Sequence, residues 1–132
     1  MAETKKVIAK PKKKAKKQFT RGCAFINATY NNTIVTFTDQ NGNSLVSSSA
    51  GRYGFKGPKK ATPYAAGVIT KVAADKVKEM GLKDINVLIK GIGSGRDGAL
   101  RALNAAGFNI ASIKDLTPIP HNGCRPKKAR RI

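Results

Sequence analysis

Apolar and polar residues alternate with a period of two along the stretch "NNTIVTFTDQNGN", where Ile34, Thr36 and Thr38 interleave with Val35 and Phe37. Such β-branched alternation predicts half-buried strands. Asn31-Asn32 and Asn41-Gly42 interrupt the pattern, and because both residue types tolerate positive φ, each pair predicts a tight turn. The segment "RGCAFINATYNNTIVTFTDQNGNSLVSSSAG" therefore reads as a three-strand antiparallel meander. Beyond it the period lengthens. Thr62-Pro63 predicts a helix N-cap with proline at the first helical position. Ala65, Val68, Ile69, Val72, Ala73, Val77 and Met80 then recur three or four residues apart, up to a stop at Gly81. A β-branched run, Ile85 to Lys90, predicts a fourth strand. A glycine-rich turn, a second helix over about 98–106 ending at Gly107, and a last strand over 108–116 complete the chain. The order β-β-β-α-β-α-β predicts an α/β domain: a five-stranded mixed sheet with two helices packed on it.

Length agrees with this picture, since 132 residues make one compact domain. Charge changes it. The chain carries 26 Lys and Arg against 7 Asp and Glu, a net charge of +19, which repels itself and points to a polyanionic partner, nucleic acid above all. The excess sits at the ends. Residues 1–17 hold eight lysines and one glutamate; residues 117–132 hold five Lys or Arg and no acid. Three regions follow: a basic N-terminal tail over 1–17, the α/β domain over 18–116, and a basic, proline-containing tail over 117–132. The tails bury too little apolar surface to order themselves alone. Lys12, Lys13, Lys14, Lys16 and Lys17 at one end, and Arg125, Lys127, Lys128, Arg130 and Arg131 at the other, are the candidate phosphate contacts.

Other chemistry is scarce. Cys23 and Cys124 lie far apart with no zinc spacing, and His121 with Cys124 gives only two ligands, so reduced thiols and no metal are expected. No apolar run approaches the roughly 18 residues of a membrane span. The N-terminus lacks the apolar stretch of a secretory signal, and it is rich in Lys rather than in the Arg and Ser of a transit peptide.

Within the domain, the loop 50–61 places Arg52, Lys56, Lys59 and Lys60 around Tyr53 and Phe55. Cations on phosphates and rings on bases or sugars suit RNA, although Phe55 suits the core better. Asn31 and Asn32 are candidate hydrogen-bonding partners of RNA beside their turn role. His121 and Asn122 lie in "TPIPHNG", a proline-pinned segment able to aim the tail; His121 either meets RNA or packs. Asn122-Gly123 also invites isoaspartate, since glycine leaves its own amide unhindered for attack on the Asn122 side chain. Asn41-Gly42 shares the dipeptide but is expected to be held in a hairpin turn.

"KGIGSGRDGALRALNAAG" has the G-x-G-x-x-G spacing of a dinucleotide fingerprint at Gly93, Gly95 and Gly98, and Asp115 stands where the ribose-binding acid would be. That fold needs two β-α-β-α-β halves, and only 17 residues follow Asp115. No Gly-Lys-Ser/Thr closes a Walker A loop either. No cofactor and no small-molecule substrate are expected, and Asp115 reads as a strand-end charge. The loop's amides, with Lys90 and Arg96 beside it, can still grip a nucleic-acid phosphate, or the turn is purely geometric. On the phosphate reading, Gly95→Val weakens RNA binding and leaves the fold intact.

"NNTIVTFTDQNGN", "GFKGPKKATPYAA", "KGIGSGRDGALRALNAAG" and "DLTPIPHNGCRPKKARR" resemble, in order, signature stretches of the family of bacterial small ribosomal subunit protein eleven; the likeness covers roughly residues 18–132. It implies a non-catalytic, ribonuclease-H-like fold. The function it implies is that of a structural component of the small subunit's platform, binding small-subunit rRNA near the mRNA exit and E-site region. Neighbouring small-subunit proteins would be its other partners and the cytoplasmic ribosome its location. Many members carry prolines where this chain has Ile92 and Ser94, so a less rigid glycine loop is expected. The residues themselves agree that the chain is no enzyme: a ribonuclease-H site clusters carboxylates around two metal ions, whereas Asp39, Asp84, Asp97 and Asp115 are scattered.

Overall fold

A computed structural model describes residues 20–129 of the chain. The strands are β1 (Arg21–Ala28), β2 (Thr33–Asp39), β3 (Ser44–Ser49), β4 (Asp84–Gly91) and β5 (Asn109–Asp115); the helices are α1 (Pro63–Glu79) and α2 (Gly95–Ala105). They form one sheet in the order β3-β2-β1-β4-β5. β1, β2 and β3 pair antiparallel, while β4 joins β1, and β5 joins β4, in parallel. This is the five-stranded mixed α/β fold expected above, with the first three strands as the predicted meander.

Local chemistry explains most boundaries. Thr62 caps α1, its hydroxyl accepting the Ala65 amide at 3.2 Å, with Pro63 at the first helical position. Gly81, at φ 85°, returns its amide to the Lys78 carbonyl at 3.0 Å and ends the helix. The second turn of the meander follows expectation: Gly42 holds φ 92°, and Asp39 Oδ1 accepts the amides of Asn41 and Asn43, each at 2.9 Å. The first differs. Neither Asn31 nor Asn32 has positive φ; a four-residue connection, Thr29–Asn32, is held by Thr29, whose Oγ1 accepts the Asn32 amide at 3.1 Å while its own amide donates to the Asn32 carbonyl at 2.8 Å, and by Asn32, whose Oδ1 accepts the Thr33 amide at 2.9 Å. The loop 50–61 contains two short 3-10 turns, Ala50–Tyr53 and Gly57–Ala61. α2 begins at Gly95, three residues before the expected start.

Both helices pack on one face of the sheet. That face carries Ala24, Ile26, Val35, Phe37, Ile85 and Val87, which meet Ala65, Ala66, Ile69, Ala73 and Val77 of α1 and Ala99 and Leu103 of α2 in a single core. Burying this apolar surface is the dominant favourable term in folding. Ser48, buried on β3, donates to the Ile69 carbonyl at 3.0 Å and so fixes α1 against the sheet without leaving a polar group unpaired. Val68 and Val72, expected in the core, are only half-buried; Ala66, Thr70 and Ala74 take the contact face.

Strand direction decides what gathers where. β1, β4 and β5 run parallel, and β3 runs with them because β2 reverses once between β1 and β3. Their carboxyl ends share one edge of the sheet. The connection 29–32, the loop 50–62, the glycine loop 91–94 and the segment after Asp115 all leave from that edge. The β2–β3 hairpin and the turns at Gly81 and Gly107 lie at the opposite one.

Candidate nucleic-acid interface

The carboxyl-end edge brings together residues widely separated in sequence: Asn31 and Asn32, then Arg52, Lys56, Lys59 and Lys60, then Lys90, Gly93, Gly95 and Arg96; the segment that leaves it after Asp115 carries His121, Asn122, Arg125, Lys127 and Lys128. Crevices at the carboxyl ends of parallel strands are the usual ligand sites of open α/β sheets. Lys56, Lys59, Lys90, His121, Asn122, Arg125, Lys127 and Lys128 are exposed, Asn32 and Lys60 half-buried. Arg52 is exposed and donates to the Ser47 carbonyl at 3.3 Å. Lys12, Lys13, Lys14, Lys16, Lys17, Arg130 and Arg131 lie outside the described residues.

Acids are unevenly divided between the two edges. No acid occurs in the loops 29–32, 50–62 or 91–96. Asp39 and Asp84 stand at the opposite edge, and Asp75 and Glu79 lie in the half of α1 that ends there. Asp39 is spent on its turn, where the Asn43 amide above all holds its carboxyl below the usual range. Asp84 accepts from Asn109 Nδ2 at 3.0 Å and lies 3.9 Å from Arg21. Among the described residues only Asp97 and Asp115 accompany the basic edge, and Asp115 is not free.

Asp115 lies at the centre of a small network. Its Oδ1 accepts both the Thr117 hydroxyl, at 2.6 Å, and the Thr117 amide, at 2.9 Å; its Oδ2 takes Arg96 Nη2 at 2.6 Å. Thr117 first, and Arg96 after it, pull the carboxyl down to about 2. Arg96 Nη1 donates to the Gly91 carbonyl at 2.9 Å, and the Gly91 amide donates to Thr117 Oγ1 at 3.2 Å. The root of the C-terminal segment is thereby tied to the glycine loop. The strand-end reading of Asp115 fits this, and the ribose-binding one does not.

The same geometry favours the second of the two readings of the loop, a turn whose glycines serve packing. Arg96, a candidate to fork onto phosphate oxygens, has partners within the chain at both ends of its guanidinium. Gly93 and Gly95 were expected to open the backbone to a phosphate. A Cβ at Gly93 would strike the Thr29 carbonyl, one at Gly95 the Thr33 hydroxyl, and one at Gly98 the Pro63 carbonyl. The Gly93 amide donates to the Ala28 carbonyl at 3.2 Å. The glycines let the loop lie flush against the 29–32 connection on one side and the start of α1 on the other. Ser94, where many relatives were expected to have proline, donates its hydroxyl to the Ala61 carbonyl at 2.8 Å. The loop is pinned by a hydrogen bond in place of a ring.

Of the two aromatics of the loop 50–61, Phe55 packs as the core reading has it, and Tyr53 joins it. Tyr53 and Phe55 are both half-buried against the core, and the Tyr53 hydroxyl accepts Lys76 Nζ at 3.4 Å. The exposed large apolar residues at the basic edge are Tyr30, Ile92 and Tyr64, at 73%, 60% and 75% exposure, with Ile34, Leu116 and Ile119 nearby. None was singled out from sequence. The signal available was the absence of a role: Tyr30 lies beyond the last strand position and Tyr64 beside a helix-capping Thr-Pro, so neither belongs to a buried face.

Residues 22–131 match the family model described as ribosomal protein S11. The chain is 52% identical over 129 residues to "Small ribosomal subunit protein uS11" of Buchnera aphidicola subsp. Cinara cedri (strain Cc), an alignment covering 98% of this chain and 99% of that relative.

Proposed function

This chain belongs to the ribosomal protein S11 family, and from that membership we propose that it holds small-subunit rRNA against the carboxyl-end edge of its sheet, in the platform near the mRNA exit and E-site region. It is a structural ribosomal protein and not an enzyme. The observation that carries the RNA-binding reading is the convergence on one edge of the acid-free loops 29–32, 50–62 and 91–96, with the basic residues of the last two and the root of the basic C-terminal segment, while four of the six described acids, Asp39, Asp75, Glu79 and Asp84, lie toward the other. Cations there neutralise phosphates and release counterions, which supplies affinity independent of sequence. The chain outside the described residues adds further lysines and arginines at both ends. Neighbouring small-subunit proteins are its other partners, and the bacterial cytoplasm its location.

Sedimentation tests this reading. The full-length chain, expressed in a bacterium, is expected to travel with small subunits through a high-salt sucrose gradient. Recovery only in the free fractions would overturn it.

A further inference from the structure

Two of the three tyrosines stand about three-quarters exposed on the basic edge, and they flank the glycine loop. Tyr30 lies in the 29–32 connection, which the Gly93 amide ties to the loop through the Ala28 carbonyl; Tyr64 lies at the start of α1, which Ser94 ties to the loop's other side through the Ala61 carbonyl. The third tyrosine, Tyr53, is by contrast held against the core with its hydroxyl engaged by Lys76. A single exposed aromatic needs no explanation. Two at matching places on the edge where the cations collect are a different matter, because flat π-faces beside phosphate-binding cations are the means by which proteins hold unstacked bases.

Each ring is also set for that use. Tyr64 is braced from behind by half-buried Phe55, edge-on at 6.1 Å between centroids and 76° between planes, so its orientation is fixed while its outer surface stays open. Lys56, Lys59 and Lys60 precede it on the adjoining 3-10 turn. Tyr30 is carried on a connection stiffened by three hydrogen bonds between Thr29 and Asn32, with the exposed Asn31 beside it as donor and acceptor for base edges.

We propose that Tyr30 and Tyr64 are stacking platforms for unpaired RNA bases, so that this edge selects loops or bulges of rRNA over continuous duplex. The inference rests on the RNA-binding reading above and adds to it the class of RNA taken. A continuous A-form helix hides its base faces and offers the tyrosines nothing to stack on. Its phosphates would still meet the lysines.

The test uses the full chain with two RNAs of equal phosphate count: a stem-loop whose loop holds unpaired purines, and a blunt, fully paired duplex. The wild-type chain binds the stem-loop more tightly. Tyr30→Ala and Tyr64→Ala each weaken stem-loop binding about ten-fold and leave duplex binding unchanged, whereas Tyr30→Phe and Tyr64→Phe keep wild-type affinity. Tyrosine fluorescence is quenched by the stem-loop alone. If the alanine variants bind the stem-loop as the wild type does, the stacking role is overturned while RNA binding stands; in that event the tyrosines serve a protein neighbour. Wild-type chain that binds neither RNA would overturn both readings.

Discussion

Asn122 holds φ at 58° in an exposed segment outside every strand and helix, and a glycine follows it. Its counterpart in the β2–β3 hairpin is restrained: the Gly42 amide, which would have to attack the Asn41 side chain, donates to the Asp39 carbonyl at 3.2 Å, and the Asn41 amide donates to Asp39 Oδ1. Isoaspartate is therefore expected at 122 in preference to 41, adding a carboxylate and a backbone methylene among the tail's cations. Peptide mapping with an isoaspartate-specific methyltransferase checks this; label at Asn41 alone, or at neither site, defeats it. Gly95 gives a second residue-scale prediction. Its Cα rests on the buried, unpartnered Thr33 hydroxyl, and an added Cβ would also approach Ala66 Cβ to 3.2 Å. Gly95→Val is expected to destabilise the fold by about 1–3 kcal/mol, the usual range for overpacking, seen as a lowered urea midpoint. RNA binding should fall only as far as the protein unfolds. Loss of binding with an unchanged midpoint would restore the phosphate-approach role.

At the scale of elements, the network joining β5, α2 and the glycine loop makes a pH prediction. The Asp115 carboxyl titrates at about 2 in the folded chain against an ordinary 3.8. The unfolded chain thus takes up the proton first, and the stabilisation is fully present above about pH 4 and lost as pH falls through about 2. Thermal unfolding followed across that window should show a steeper acid loss for wild type than for Asp115→Asn. Asp39, depressed in the same direction by the Asn43 amide, remains in both proteins and cancels from the comparison. Identical acid limbs would mean that the network adds nothing to stability. Nuclear magnetic resonance titration of the Asp115 carboxyl carbon gives the midpoint directly.

For the whole molecule the governing quantity is the number of phosphates neutralised. Log affinity for RNA should fall linearly with log salt, with a slope of roughly −0.7 to −0.9 per phosphate. Deleting residues 126–132 removes Lys127, Lys128, Arg130 and Arg131 and should flatten the slope by as much as about three. An unchanged slope would show these cations to be solvated rather than in contact. The opposite edge offers the control: Lys83→Ala, beside Asp84 and far from the four converging segments, should leave the slope as it was.

Much of this was fixed locally and could be read in order along the chain. The Thr62-Pro63 cap, the stop at Gly81 and the alternation of Ile34 to Thr38 each depend on neighbours within a few residues, so element type and sequence were legible, as was the charge that points to RNA. The first turn lies where the asparagines place it but without positive φ, because Thr29 and the Asn32 side chain hold it through bonds that composition does not reveal. What tertiary structure alone decided is where side chains meet. β5 shifts register against β4 between Ile85 and Asn86, passing over Ala111, and a one-residue shift reverses which face every later residue presents. That shift pairs Asp115 with Ile89, on the side of the sheet that α2 covers, and brings it to Arg96. The glycines likewise fit two loops with the same spacing, one open to a phosphate and one pressed against its neighbours. Only the approach of the Thr29 and Pro63 carbonyls, brought there from elsewhere in the chain, selects the second.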